Sequence, residues 1–288
     1  MKIIEPAEMK DFTSFKVGGK AEKLVICDCE EDLATVLNIL AVEKRDFILI
    51  GNGSNTLFTD EGYKGTVVKL GDFFAQMKCE GSKIIAGASA LMSKVSGFAI
   101  ENRLTGFEFA SGIPGSLGGA IFMNAGAYGG QMEDIVESVR VISKDGESFR
   151  TIYKDELDFG YRHSVIQDTG EVAVEITLGL EKGKREEIEE RVAELTEKRN
   201  SKQPLAYPSC GSFFKRPEGY FAGKLIEDAG LRGVSVGGAQ VSEKHCGFLI
   251  NKGDATAKDV LALKKLVQDT VYEKFGVRLE PEVRIIGE

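Results

Sequence analysis

Gly51-Asn52-Gly53-Ser54-Asn55 and, about sixty residues on, Gly112-Ile113-Pro114-Gly115-Ser116-Leu117-Gly118-Gly119-Ala120 are the stretches whose reading decides the fold. Both combine glycine with small hydroxyl or amide side chains. Loops of that composition bring backbone N–H groups close to an anion with no Cβ in the way. Together they suit the diphosphate of a dinucleotide, although either alone reads equally well as a turn. Neither is a Rossmann fingerprint. Thr56 stands where a third glycine would follow Gly51-x-Gly53, and Leu57-Phe58-Thr59-Asp60-Glu61-Gly62 reads as a turn instead of a helix start. A flavin or nicotinamide site built on these loops belongs to another fold.

Outward from the loops, Lys23 to Cys29 and Phe47 to Ile50 read as strands with a helix from Glu30 to Glu43 between them, a β-α-β start. Thr66 to Leu70 and Ile84 to Ala86 continue as strands, and Ala90 to Asn102 as a helix before the second loop. Strands resume at Ser138 to Ser143, Ser148 to Tyr153 and Val172 to Leu180. Residues 1–182 are therefore expected to form an α+β domain of two lobes, about 1–70 and 71–182, with a phosphate loop in each. Lys184 to Asn200 is heavily charged with Ile188, Val192 and Leu195 at helical spacing, a thinly amphipathic helix that links domains over 183–201. A second domain is expected over 202–276, opened by Gln203-Pro204 and Tyr207-Pro208. Its long helix begins at Thr256-x-x-Asp259, lines Val260, Leu263, Val267 and Val271 on one face, and closes at Gly276. The tail, Val277 to Gly287, alternates as a last strand carrying Glu282.

The 288 residues, 42% hydrophobic and 28% charged, allow two domains of ordinary composition. No apolar run is long enough to span a membrane, and Met1-Lys2-Ile3-Ile4-Glu5-Pro6 does not resemble a signal peptide, so the expected location is the cytoplasm. Five scattered cysteines and two histidines give no zinc spacing, and no metal is expected. Cys27 and Cys29 are expected on one face of a strand, as packing residues. A net charge of −8 offers no basic stripe for nucleic acid. From Lys202 to Lys252, however, seven Lys or Arg stand against four acids, a local +3 in a chain otherwise −11. That segment suits a small anionic ligand or is simply a solvated basic face.

Four segments are hard to explain as packing: Tyr161-Arg162-His163-Ser164, Ser209 to Pro217 (Ser-Cys-Gly-Ser-Phe-Phe-Lys-Arg-Pro), Gly238 to His245 (Gly-Ala-Gln-Val-Ser-Glu-Lys-His), and Leu279-Glu280-Pro281-Glu282-Val283. With Thr13-Ser14-Phe15-Lys16-Val17-Gly18-Gly19, the two glycine loops and Asn124-Ala125-Gly126-Ala127-Tyr128-Gly129, they closely resemble the UDP-N-acetylenolpyruvoylglucosamine reductase (MurB) family, from about Thr13 to Gly287. The resemblance implies an FAD-binding domain of the vanillyl-alcohol-oxidase (PCMH) type, followed by an α+β substrate-binding domain. It implies non-covalent FAD at Gly51, Asn52, Gly53, Ser54, Asn55, Gly112, Pro114, Gly115, Ser116, Gly119, Asn124 and Ala127. NADPH is the implied reductant. The implied substrate is UDP-N-acetylglucosamine enolpyruvate, the implied product UDP-N-acetylmuramate, and a monomer is expected.

At matching positions, the resemblance assigns Arg162 to the substrate carboxylate, Ser212 to proton donation and Glu282 to polarising that carboxylate together with Arg162. A guanidinium that stays protonated suits the first role better than lysine. Without the resemblance, Arg162 reads as a surface or structural arginine, Ser212 as a capping hydroxyl, and Glu282 as an outward-facing strand residue. Lys215, Arg216, Gln240 and His245 become substrate candidates, with Lys244 beside them for the phosphates of the UDP-sugar or NADPH. Many family members carry asparagine where Arg216 stands. The length, with no insertion before Ser201, matches the shorter subgroup that lacks a substrate-covering tyrosine loop. Two other readings stay open: an oxidase of the same fold, and a flavin- or nucleotide-sugar-binding protein without chemistry.

Overall fold

The computed structural model describes residues 1–287. The chain forms two units, the first from Met1–Ile4, Leu24–Asn52 and Gly65–Arg199, the second from Glu5–Lys23, Gly53–Lys64 and the chain from Asn200 onward. The stretch expected as a first lobe, 1 to about 70, contributes to both. Each unit has its own buried cluster of apolar side chains.

In the first unit, helix Glu30–Val42 buries Leu33, Val36, Leu37 and Leu40, the spacing of one helical face. Cys29 departs from the expected strand position. Only Cys27 ends strand Lys20–Cys27, whereas Cys29 caps the helix, its Sγ accepting from the Asp32 N–H at 3.4 Å. A cap needs an acceptor side chain where the strand stops, and that outweighs the alternation read from Cys27-Asp28-Cys29. Strand Phe47–Ile50 runs parallel to strand Tyr63–Leu70, with Ile50 opposite Lys69. This register sets Lys69 beside the residue that leads into the first glycine loop.

The second sheet of this unit has five antiparallel strands, in the order Phe149–Tyr153, Val136–Ile142, Val172–Gly179, Lys83–Gly87, Met77–Glu80. Short helix Leu117–Phe122, which leaves the second glycine loop, packs on Lys83–Gly87 and Val172–Gly179. It can sit there because residue 118 is glycine. A Cβ at Gly118 would stand 2.9 Å from the Ala88 Cβ. Helix Arg185–Lys202 buries only Ile188 and Leu195, and its exposed face carries ion pairs such as Arg185 with Glu189.

In the second unit, helix Ala257–Phe275 buries Val260, Leu263, Val267 and Val271, starts in a capping box of Thr256 and Asp259, and stops at Gly276 in the left-handed conformation, φ +69°. The Asp60 carboxylate accepts from the Ala257 and Lys258 N–H groups at 2.9 and 2.8 Å. An anion on free N–H donors at this end of a helix is favourable by about 0.3–1 kcal/mol. The expected turn at Leu57-Phe58 is instead part of strand Thr56–Phe58, and the expected strand Val277 to Gly287 is ladder-paired only over Arg284–Ile286. These two pair in parallel, Leu57 opposite Ile285. The partner strand lies more than two hundred residues away, so nothing near Leu57 announces it. Full burial of Leu57 and Phe58 outweighs the local turn residues.

Candidate active site

Glycine at position 51 is set by its surroundings. A Cβ there would lie 2.2 Å from the Ser116 Oγ, so the first loop abuts the second where both belong to the first unit. Ser116 is buried and its hydroxyl accepts from the Gly119 N–H at 3.4 Å as the cap of Leu117–Phe122. A Cβ on Gly112 would meet the Arg199 side chain at 2.9 Å. The loop composition and these close approaches fit a diphosphate cradle, in which backbone donors face the ligand and side chains cannot intrude. The chain passes into the second unit at Gly53, whose φ of +63° and whose missing Cβ, 2.1 Å from the Phe12 carbonyl oxygen, both demand glycine.

Arg162 sits in a two-residue turn closed by reciprocal Gly160–His163 backbone hydrogen bonds of 3.2 Å each. Its φ is +58°, an unfavourable conformation for a residue with a Cβ. The guanidinium lies 5.1 Å from the Tyr161 ring centre. Support comes from beneath. The Asn124 side chain, buried, donates to the Gly160 carbonyl at 3.1 Å and accepts from the Glu133 N–H at 3.0 Å. The Gln167 amide donates to the carbonyls of Arg162 at 2.9 Å and of Phe122 at 2.6 Å. Asn124 is thus tied to the arginine turn, and Gln167, which carries no motif in the sequence, holds the turn directly.

In the second unit, the Gly211-Ser212-Phe213-Phe214-Lys215 stretch lies beside the chain carrying Glu282. The Glu282 N–H donates to the Phe213 carbonyl at 2.9 Å, the Lys215 N–H to the Glu280 carbonyl at 2.8 Å, and Phe214 bridges Pro281 antiparallel. Phe213 and Phe214 are buried, which anchors the stretch and leaves Ser212 exposed. Gly211 permits the turn with φ +78°. From the other side, the Asn55 side chain donates to the Glu282 carbonyl at 3.1 Å. Ser212 and Glu282, about seventy residues apart in sequence, are therefore held on adjacent backbone.

The remaining candidates of this unit are engaged locally. Lys215 approaches Glu280 at 3.5 Å, Arg216 stacks on Phe221 at 4.0 Å, and the Gln240 amide donates to the Gly233 carbonyl at 3.0 Å. The His245 Nδ1 accepts from the Gly247 N–H at 3.1 Å, and burial holds its pKa below the usual imidazole value. Gly247 in turn accepts from the Phe213 N–H at 2.8 Å, so the histidine turn braces the Ser212 stretch.

The chain is similar to known proteins over both of its parts. Residues 21–151 match an FAD-binding domain, and residues 203–286 match the C-terminal domain of UDP-N-acetylenolpyruvoylglucosamine reductase. The reductase of that name from Alkaliphilus oremlandii is 52% identical over 280 residues, 97% of this chain and 92% of the relative. That from Clostridioides difficile is 49% identical over 288 residues, 100% of this chain and 94% of the relative. The crystal structure of UDP-N-acetylenolpyruvylglucosamine reductase (MurB) from Thermus caldophilus superposes with a TM-score of 0.87 at 35% identity, covering both chains fully. Paired glycine loops in an FAD-binding domain, followed by a separate C-terminal domain, define an FAD-dependent oxidoreductase. The chain belongs to the UDP-N-acetylenolpyruvoylglucosamine reductase family, MurB, with FAD as cofactor and NADPH as reductant.

Proposed function

We propose that this chain reduces the enolpyruvyl group of UDP-N-acetylglucosamine enolpyruvate to give UDP-N-acetylmuramate in the cytoplasm, as a monomer, with Arg162, Ser212 and Glu282 as its catalytic residues. Non-covalent FAD, when bound, would supply the hydride-transfer chemistry between NADPH and the substrate. Residues 1–182 are assigned mainly to the flavin, with the 51–55 and 112–120 loops and Asn124 and Ala127 as its cradle. Residues 202–276 and the C-terminal segment are assigned to the UDP-sugar. The observation carrying the assignment is the backbone lacing of the Ser212 stretch to the Glu282 segment.

Addition of hydride at the outer alkene carbon leaves negative charge on the inner carbon and its carboxylate. Arg162 meets that carboxylate with a fixed positive charge, which grows more valuable as charge accumulates. Its turn is held by backbone bonds and by Gln167, so little reorganisation is needed when the charge develops. Glu282 acts with Arg162 to polarise the carboxylate. The Ser212 hydroxyl gives its proton to the inner carbon, and the nearby Lys215 ammonium stabilises the resulting alkoxide. Lys215, Arg216, Gln240 and His245 hold the UDP-sugar, the cations offering charge to its diphosphate.

The visible spectrum of the purified protein, followed by NADPH consumption with and without the enolpyruvyl UDP-sugar, tests this reading. A yellow protein that oxidises NADPH only when the sugar is present is expected. A colourless protein that takes up no FAD, or rapid turnover with oxygen alone, overturns it.

A further inference from the structure

Many cations of the first unit have carboxylate partners. Arg140 pairs with Glu30 and Arg150 with Glu171, and in both the pair raises the guanidinium pKa. Two half-buried cations behave differently. The Lys69 ammonium has one acceptor among the described residues, the Gly51 carbonyl at 2.5 Å. The Arg199 guanidinium, against Gly112, has no hydrogen bond or ion pair among them. Burial lowers the pKa of both, and on Arg199 the neighbouring Tyr128 acts in the opposite direction. A desolvated cation without a counter-charge is unfavourable and is normally paired. Here each of the two lies against one of the glycine loops that abut at Gly51 and Ser116.

We propose that Lys69 and Arg199 are the charge complement of the FAD diphosphate, one from beneath each glycine loop. The inference rests on FAD as the cofactor and goes beyond a cradle of backbone amides. A bound FAD diphosphate carries two negative charges, and these two cations match it. Lys69 acts partly through the loop. By donating to the Gly51 carbonyl it turns that oxygen away from the anion and polarises the following peptide, which strengthens the Asn52 N–H as a donor. Arg199 brings a guanidinium whose donors have no acceptor among the described residues, and its planar fork suits phosphate oxygens.

The test uses full-length holoprotein with Lys69→Met and Arg199→Met, separately. FAD affinity is read from flavin fluorescence on dilution, and the two-electron flavin potential is measured alongside. Each variant should weaken FAD binding about tenfold to a hundredfold, leave the potential unchanged, and flatten the ionic-strength dependence of binding. Charge-keeping Lys69→Arg and Arg199→Lys should retain affinity within a fewfold of wild type. Unchanged FAD affinity in the methionine variants overturns the proposal. So does a drop in flavin potential, which would place the cation at the ring, or loss of flavin from the charge-keeping variants as complete as from the methionine ones. Failure of the enolpyruvyl assay with FAD affinity behaving as expected would instead strike at the substrate assignment and leave this one standing.

Discussion

Replacing Arg162 separates its chemistry from its place in the fold. The turn is closed by two 3.2 Å backbone bonds, and the Gln167 amide reaches the Arg162 carbonyl at 2.9 Å, so these contacts involve no side-chain atom of residue 162. The left-handed conformation at φ +58° costs a residue with a Cβ about 1–2 kcal/mol. Arg162→Met keeps that cost and the backbone bonds. Arg162→Gly removes the cost but gains about 0.4–1 kcal/mol of unfolded-state freedom, which offsets about half of the benefit. Both variants should therefore melt within about 4 °C of wild type. The loss of one preorganised electrostatic partner is about 2.7–4 kcal/mol, roughly a hundredfold to a thousandfold in rate. Only the enolpyruvyl substrate brings the carboxylate, so the loss should fall on one half-reaction. Anaerobic rapid mixing can follow flavin reduction by NADPH and reoxidation by substrate separately. Equal slowing of both, or a melting temperature lower by many degrees, would show that the side chain serves the flavin or the fold.

Ser212→Ala should bind FAD and be reduced by NADPH almost normally, but reoxidise with substrate roughly a hundredfold to ten-thousandfold more slowly, with partial recovery in Ser212→Cys. Turnover of the alanine variant within a fewfold of wild type would mean that the proton comes from elsewhere. Gly53→Val should lose flavin and melt at a lower temperature, because both the positive φ and the Phe12 carbonyl exclude a side chain; full FAD occupancy on the absorbance spectrum would show the cradle to be misplaced. Burial keeps His245 neutral in the native state, below the ordinary 6.5, so the unfolded chain binds the extra proton first as pH falls. Stability from this residue is complete above about pH 6.5 and is lost as pH drops through the folded pKa. Denaturant melts of His245→Gln should show a shallower acid-side decline; an identical pH profile would remove His245 from that account.

What was legible in the sequence was local or carried by motifs. Thr256, Asp259 and Gly276 bounded their helix because capping is decided within a few residues, and the structure keeps all three in those roles. The two glycine loops were legible as loops because glycine beside small polar residues is local chemistry, and the structure brings them together at Gly51 and Ser116. Pairing across long separations was not. Nothing in Leu57-Phe58 points to Ile285 and Ile286 as neighbours, and nothing in Asn55 points to the Glu282 carbonyl. Lys69 looked like any strand lysine and Arg199 like one of many charges on a polar helix. Their distinction is that they are half-buried with no carboxylate partner among the described residues, a matter of tertiary placement that no local pattern carries.

The same separation explains why the second unit gathers residues 5–23 and 53–64 around its C-terminal chain. Glu282 is held by its own backbone on two sides, donating to Phe213 and accepting from Asn55, and the strand after it pairs with Thr56–Phe58. Its backbone is therefore held in part by a loop that the sequence pattern attributes to the cofactor. The Gly53–Asn55 stretch fixes two things at once: through glycine, the path of the first glycine loop, and through the Asn55 amide, the backbone at Glu282. A loop with both duties is constrained residue by residue, which accounts for its having so little room for side chains that do neither.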